Sequence, residues 1–240
     1  MRSMLKSIAA AALLFVSGLT MVNAAALRVA PTTVEMIAPD SAAVFNLRNE
    51  APRPLNVQVR VFRWSQEDGV ETLQPTRDVV ASPPSAQLSP GGDYVIRVVR
   101  VSKKPVRSEE SYRVVIDELP DPSRRKAGTV SLVVRHVLPV FFRSPDAPGP
   151  DVEWRLSRSK GGLVLVAENK GGSRLRLSDV KLSQGGSVIG QRKGLVGYVL
   201  GGTTMQWSIG RARELSSGSV TLSGKSDVGA INAKVDVSGR

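Results

Sequence analysis

Two carboxylate doublets invite a catalytic reading: Glu109-Glu110 and, after SYRVVI, Asp117-Glu118. A glycosidase-like pair must face its partner across a cleft at a defined separation. Adjacent residues on an extended chain point to opposite faces, so neither doublet converges on one bond. Trp64, Trp154 and Trp207 stand apart and form no platform beside the acids. Cysteine is absent and His136 is the single histidine, which excludes thiol catalysis and Cys-ligated metals and argues against a His-based metal site. No catalytic residue, no metal site and no cofactor are therefore expected, and the chain does not read as an enzyme.

His136 lies inside RKAGTVSLVVRHVLPVFFRS, Arg125 to Ser144. Read as a strand, this stretch puts Val130, Leu132, Val134 and His136 on one face and Ser131, Val133, Arg135 and Val137 on the other. Both faces are rather apolar, as in a covered central strand. Pro139 has no N–H, which confines it to an edge strand or a bulge. Either a bulge moves a central strand to an edge, or a partner strand covers it. An apolar edge is an aggregation hazard and a docking template, and strand addition is one way of using it. His136 reads as a packed residue.

The elements that must position this strand are nearly all β. Runs rich in Val, Leu, Ile and Thr recur between Pro, Gly, Asn and Ser clusters, the pattern of a sandwich or barrel. LNVQVRVFRWSQED alternates strictly, with Leu55, Val57, Val59 and Val61 opposed to Asn56, Gln58 and Arg60. VVASPPSAQLSPGGDYVIRVVRV reads as a loop, a turn at Pro90-Gly91-Gly92 and a strand. SPDAPGPD, Ser144 to Asp151, holds three prolines and a glycine and reads as a stiff connector. Beyond it, LVLVAENKGGSRLRLSDVKL loosely repeats the strand–Asn–turn–strand layout of AAVFNLRNEAPRPLNVQVRV. The expected organisation is a first domain over 26–144, a linker over 145–151 and a second domain over 152–240.

The N-terminus carries Arg2 and Lys6, then an apolar run and a string of alanines, the layout of a secretory signal peptide over residues 1–25. That run is roughly 15 residues, short of the roughly 20 that a membrane span needs. Removing Arg2 and Lys6 takes the formal net charge from +12 to +10. The arginines are scattered singly along alternating segments, without the aromatics or basic helix of a nucleic-acid site. No nucleic acid is expected.

RNEA after the second strand, ASPPSAQLSPGGDYVIRV, ESYRVVIDELPDP and VRHVLPVFFRSP follow in an order and spacing that resemble a periplasmic chaperone of the chaperone–usher pathway, which assembles pili. The likeness is strong over residues 27–145 and weak afterwards. It implies two immunoglobulin-like β-sandwich domains in a boomerang arrangement, with pilus subunits and an outer-membrane usher as partners. The chaperone would lend an edge strand, here Gly128 to Phe142, with Val130, Leu132 and Val134 as alternating donors. The free protein could cover that edge by self-association. The resemblance also implies a cis Ser82–Pro83 bond and a mobile loop from Arg124 to Ala127.

The best-known branch grips the subunit's terminal carboxylate with an arginine and a lysine. Thr33 and Pro139 occupy those positions here. LPVFF with an upstream Arg135 is instead similar to the archaic branch, which includes spore-coat and biofilm pili. A partly buried carboxylate needs charge-assisted donors, and the candidates are Arg135 and Arg97. The family also suggests another role for Arg97, an interdomain ion pair with Glu109 or Glu110. A different reading, a secreted structural or adhesive sandwich protein, predicts a missing strand or a free donor tail. The chain reads as holding a full set of strands and no such tail.

Overall fold

The computed structural model describes residues 27–121, 128, 133–159, 162–210 and 219–238. The expected signal peptide, the loop Arg124–Ala127 and the donor positions Val130 and Leu132 lie outside these. Among the described residues all regular structure is β. The first unit is a sandwich of two sheets. One runs β1 (Leu27–Ala30), β3 (Ala42–Asn49), β8 (Asp93–Arg100), β6 (Val79–Ser82). The other runs β2 (Val34–Ile37), β10 (Arg135–Arg143), β9 (Glu109–Leu119), β4 (Leu55–Glu67), β5 (Val70–Pro75), with β7 (Ser85–Leu88) also on β4.

Strict alternation builds the sandwich. Phe45, Leu47, Ile96 and Val98 face Val57, Val59, Val114, Ile116, Val140 and Phe142 across a closed core. Each large apolar side chain so buried contributes about 1.5–3 kcal/mol. β1 and β2 come from LRVAPTTVEMI, and the chain crosses between sheets at Pro31. The Ser82–Pro83 bond is cis, as are Ala30–Pro31 and Ala38–Pro39. The segment expected as a loop around Pro83-Pro84 is flanked by two short strands, β6 and β7.

In the second unit, β11 (Val152–Ser159), β12 (Gly162–Asn169), β15 (Thr204–Gly210), β14 (Ser187–Val199), β13 (Leu175–Gln184), β16 (Val220–Ser226) and β17 (Gly229–Ser238) close into a barrel. β11 and β17 meet in parallel, and β14 meets β15 only at Gly190 and Gly210. A Cβ on Gly210 would lie 2.7 Å from the Ile189 carbonyl oxygen. Glycine at this seam lets the two backbones touch.

The loose internal repeat has a physical basis. Buried Asn49 accepts from the Ala51 N–H and donates to the carbonyls of Arg53 and Leu88. Asn169 accepts from the Gly171 N–H and donates to Ser173 and Val199. In each unit one amide satisfies the turn that ends a strand.

Candidate functional site

β10 is central at one end and an edge at the other. On one flank it pairs with β9 from Arg135↔Asp117 to Arg143↔Glu109 without a register shift, so there is no bulge at Pro139. On the other flank β2 covers only Val140 to Arg143. The Glu118 N–H donates to the Val134 carbonyl at 3.0 Å, and the Ser144 N–H donates to Ser108 at 2.8 Å. Even-numbered residues of β10 therefore bond to β9. Odd-numbered residues point their backbone groups the other way, as the Arg143 carbonyl does in accepting from Ala38 at 2.9 Å. The absent N–H of Pro139 thus faces away from β9, which is how a proline sits in an unbroken ladder. The amides and carbonyls of Arg135 and Val137 turn toward a flank with no strand among the described residues.

Side chains on this edge divide by parity. Leu138, Val140 and Phe142 enter the core, preceded on the same face by His136 and half-buried Val134. Val133, Arg135 and Val137 face out, the two valines 48% and 42% exposed. The His136 Nε2 and Glu118 Oε1 atoms are buried without a hydrogen-bond partner among the described residues.

Arg135 donates from Nε to Asp117, and Arg60 donates to the other Asp117 oxygen at 2.7 Å. Burial pushes the Asp117 carboxyl up, but the hydrogen bonds and charges of Arg135 and Arg60 outweigh it and hold the carboxyl below its ordinary range. Two guanidiniums on one carboxylate leave one positive charge uncompensated. The Arg135 side chain is 62% exposed.

Arg97 stands elsewhere. On β8, Ile96 and Val98 take the inward positions, so Arg97 is exposed on the outer face of the opposite sheet, across from Val44 and Ser82. The expected pairing from this strand belongs to Arg100, which grips Glu110 at 2.8 and 2.9 Å within the first unit. Glu109 goes to the second unit, where Arg174 holds it at 2.5 Å and Glu35 at 2.7 Å. Burial works against the Arg174 charge, but Glu109 and Glu35 together raise its pKa. Burial also pushes the Glu109 carboxyl up. Three of the four acids considered for catalysis, Glu109, Glu110 and Asp117, are thus taken up by arginines.

The joint between the units lies at the covered end of β10. Trp64, Phe141, Tyr198 and Leu200 form a small core, with Arg174 stacked 3.7 Å from the Phe141 ring centroid. Arg113 stands directly opposite Pro139 on β9, its guanidinium 3.5 Å above Trp64. Gln66 accepts from the Leu200 N–H at 2.8 Å and donates to the Tyr198 carbonyl at 2.9 Å. Sequence reasoning missed Gln66, Arg113 and Arg174, because only tertiary register brings them here. Thr33, half-buried, ends the loop just before β2, beside the point where the cover of β10 stops.

The family of pili and flagellar-assembly chaperones, PapD N-terminal domain, matches residues 26–148. The chain belongs to this family. No curated protein sequence matches it. Among solved structures it is similar to a chain of the CsuC–CsuE chaperone–tip adhesion subunit pre-assembly complex from the archaic Csu pili of Acinetobacter baumannii. That match has TM-score 0.69 and 23% identity, covering 90% of this chain and 100% of the other. The E. coli chaperone DraB follows with TM-score 0.60 and 21% identity, covering 88% and 96%. The Salmonella enterica SafA pilin–SafB chaperone complex gives TM-score 0.59 and 20% identity, covering 89% and 96%. At these identities the likeness shows the fold alone, all-β in two domains.

Proposed function

We propose that this protein is a periplasmic, non-enzymatic chaperone of the archaic chaperone–usher branch. It binds pilus subunits that lack a strand by lending the open edge of β10, and it delivers them to an outer-membrane usher. The carrying observation is the half-covered strand: the backbone groups of Arg135 and Val137 are turned outward where β2 has ended. Backbone bonds along such an edge supply affinity and alternate side chains supply specificity. Val130, Leu132 and Val134 are the donors in this reading. Arg135 is the anchor for the subunit's terminal carboxylate, with the surplus charge of the Arg60–Asp117–Arg135 group behind it. The exposed position of Arg97 on the other sheet argues against that role for it. We also propose residues 26–144 and 152–240 as the two domains, joined by 145–151, because the two main cores draw their residues from these ranges.

Co-expression with a subunit from the same gene cluster tests the reading. The wild-type chain should carry the subunit through purification. L132D/V134D should lose it while remaining folded at the temperature of purification. R135Q should weaken the complex and R97Q should leave it intact. Equal subunit recovery with and without the chaperone would overturn the proposal.

A further inference from the structure

The outer face of the second domain carries a pattern unrelated to β10. Register places Lys234 of β17 beside Thr221 of β16, and Lys181 of β13 between Ser223 and Gln191. Lys225 of β16 stands between Ser178 and Ala230. These positions face away from the barrel interior, which takes Leu182, Val220, Leu222 and Val235. Each cross-strand row therefore offers one lysine flanked by uncharged side chains, and the ammonium groups reach beyond these neighbours on the outside of the barrel. Lys225 meets Asp179 at 3.1 Å yet stays 74% exposed. The charge of Lys193 also acts on Asp179, whereas Lys181 and Lys234 form no salt bridge among the described residues.

Aliphatic side chains border this face. Leu195, across from Ser178, is 57% exposed, and Val188, across from Ser183, is 46% exposed. Arg192 and Lys193, both exposed, stand on the same strand between them. A polyanion in water could pair with the lysines but would gain nothing from Leu195 and Val188. A bilayer uses both, since phosphates meet the cations while the aliphatics enter the headgroup boundary. We propose that this face docks the protein reversibly on a membrane surface of anionic phospholipid.

Sedimentation of the full chain with vesicles of phosphatidylcholine, alone or mixed with phosphatidylglycerol, tests this across a salt series. Binding should require the anionic lipid and weaken as salt rises. Each near-surface lysine contributes about fivefold to such partitioning, so K181Q/K225Q/K234Q should partition roughly a hundredfold less. L195S should lower partitioning at every salt concentration without changing the salt slope. The comparison variant R53Q/R77Q/K103Q removes equal charge from exposed sites of the first domain and should bind as the wild type does. Equal loss in both triple variants would reduce the effect to net charge and overturn the proposal. Binding indifferent to phosphatidylglycerol would overturn it too, as would an L195S variant identical to wild type on vesicles.

Discussion

Replacing Arg174 with methionine should loosen the joint between the domains, and the size of the effect follows from burial. The Arg174 side chain is 8% exposed, and that of Glu109, its partner at 2.5 Å, is 2% exposed. Removing one member of a buried ion pair strands the other charge, at a cost of about 3–5 kcal/mol. The contact with Glu35, 37% exposed, adds little. Methionine keeps some contact with the Phe141 ring and the backbone N–H that donates to Glu109 at 2.9 Å, so most of the loss is the missing counter-charge of that carboxylate. The joint has a local reporter, the Leu200 amide bonded to Gln66. Hydrogen exchange there measures the free energy of opening. Its protection should fall by about a hundredfold to a few thousandfold. E109Q/R174M removes the stranded charge and should recover at least about 2 kcal/mol relative to R174M. Burial raises the Glu109 pKa, and without Arg174 it rises further. The folded protein then holds the proton at pH values where the unfolded chain has released it. The R174M joint should therefore weaken as pH rises from the ordinary glutamate range through the elevated pKa, and tighten again on acidification. Unchanged Leu200 protection in R174M, or a double variant no better than the single, would refute this reasoning.

Two further outcomes follow from the first domain's edge and the repeated turn. The lowered Asp117 pKa means that its arginine contacts stabilise the fold above the unfolded aspartate pKa and are lost as pH falls through the folded one. Arg60 and Arg135 are 43% and 62% exposed, so D117N should flatten the acid limb of a urea stability–pH profile by no more than about 1 kcal/mol. N169A should cost at least about 2 kcal/mol, because buried carbonyls of the turn lose their donor. Exchange should rise in the barrel strands before the sandwich strands.

Local pattern carried much of the fold. The alternation of LNVQVRV is the burial pattern of the first half of β4, after which burial changes parity to Trp64 and Gln66 at the joint, and Pro31 separates β1 from β2 as its ring demands. Asn49 and Asn169 stand at matching points because each answers the same unsatisfied turn. β5 follows the turn Asp68-Gly69, whose φ values of 52° and 76° suit that dipeptide; the sequence reading placed no strand there, although the signal was present. The site was only half legible. Pro139 pointed to an edge, but whether its nitrogen faced β9 or open space depends on a register that no local pattern fixes. The choice between Arg97 and Arg100 is a question of parity on β8. Arg174 gave no signal at all, since the carboxylates it binds lie on β2 and β9, far away in the chain.

Pro139 also acts as an index pin. A slip of β10 by one residue would turn its nitrogen toward β9 and delete a ladder bond, while moving Leu138, Val140 and Phe142 out of the core. Both penalties fall together, so neighbouring registers are excluded and the open flank has a fixed phase. Whatever strand lies against that flank meets the amides of Arg135 and Val137, never those of His136. The proline thus sets the reading frame in which an incoming chain is measured.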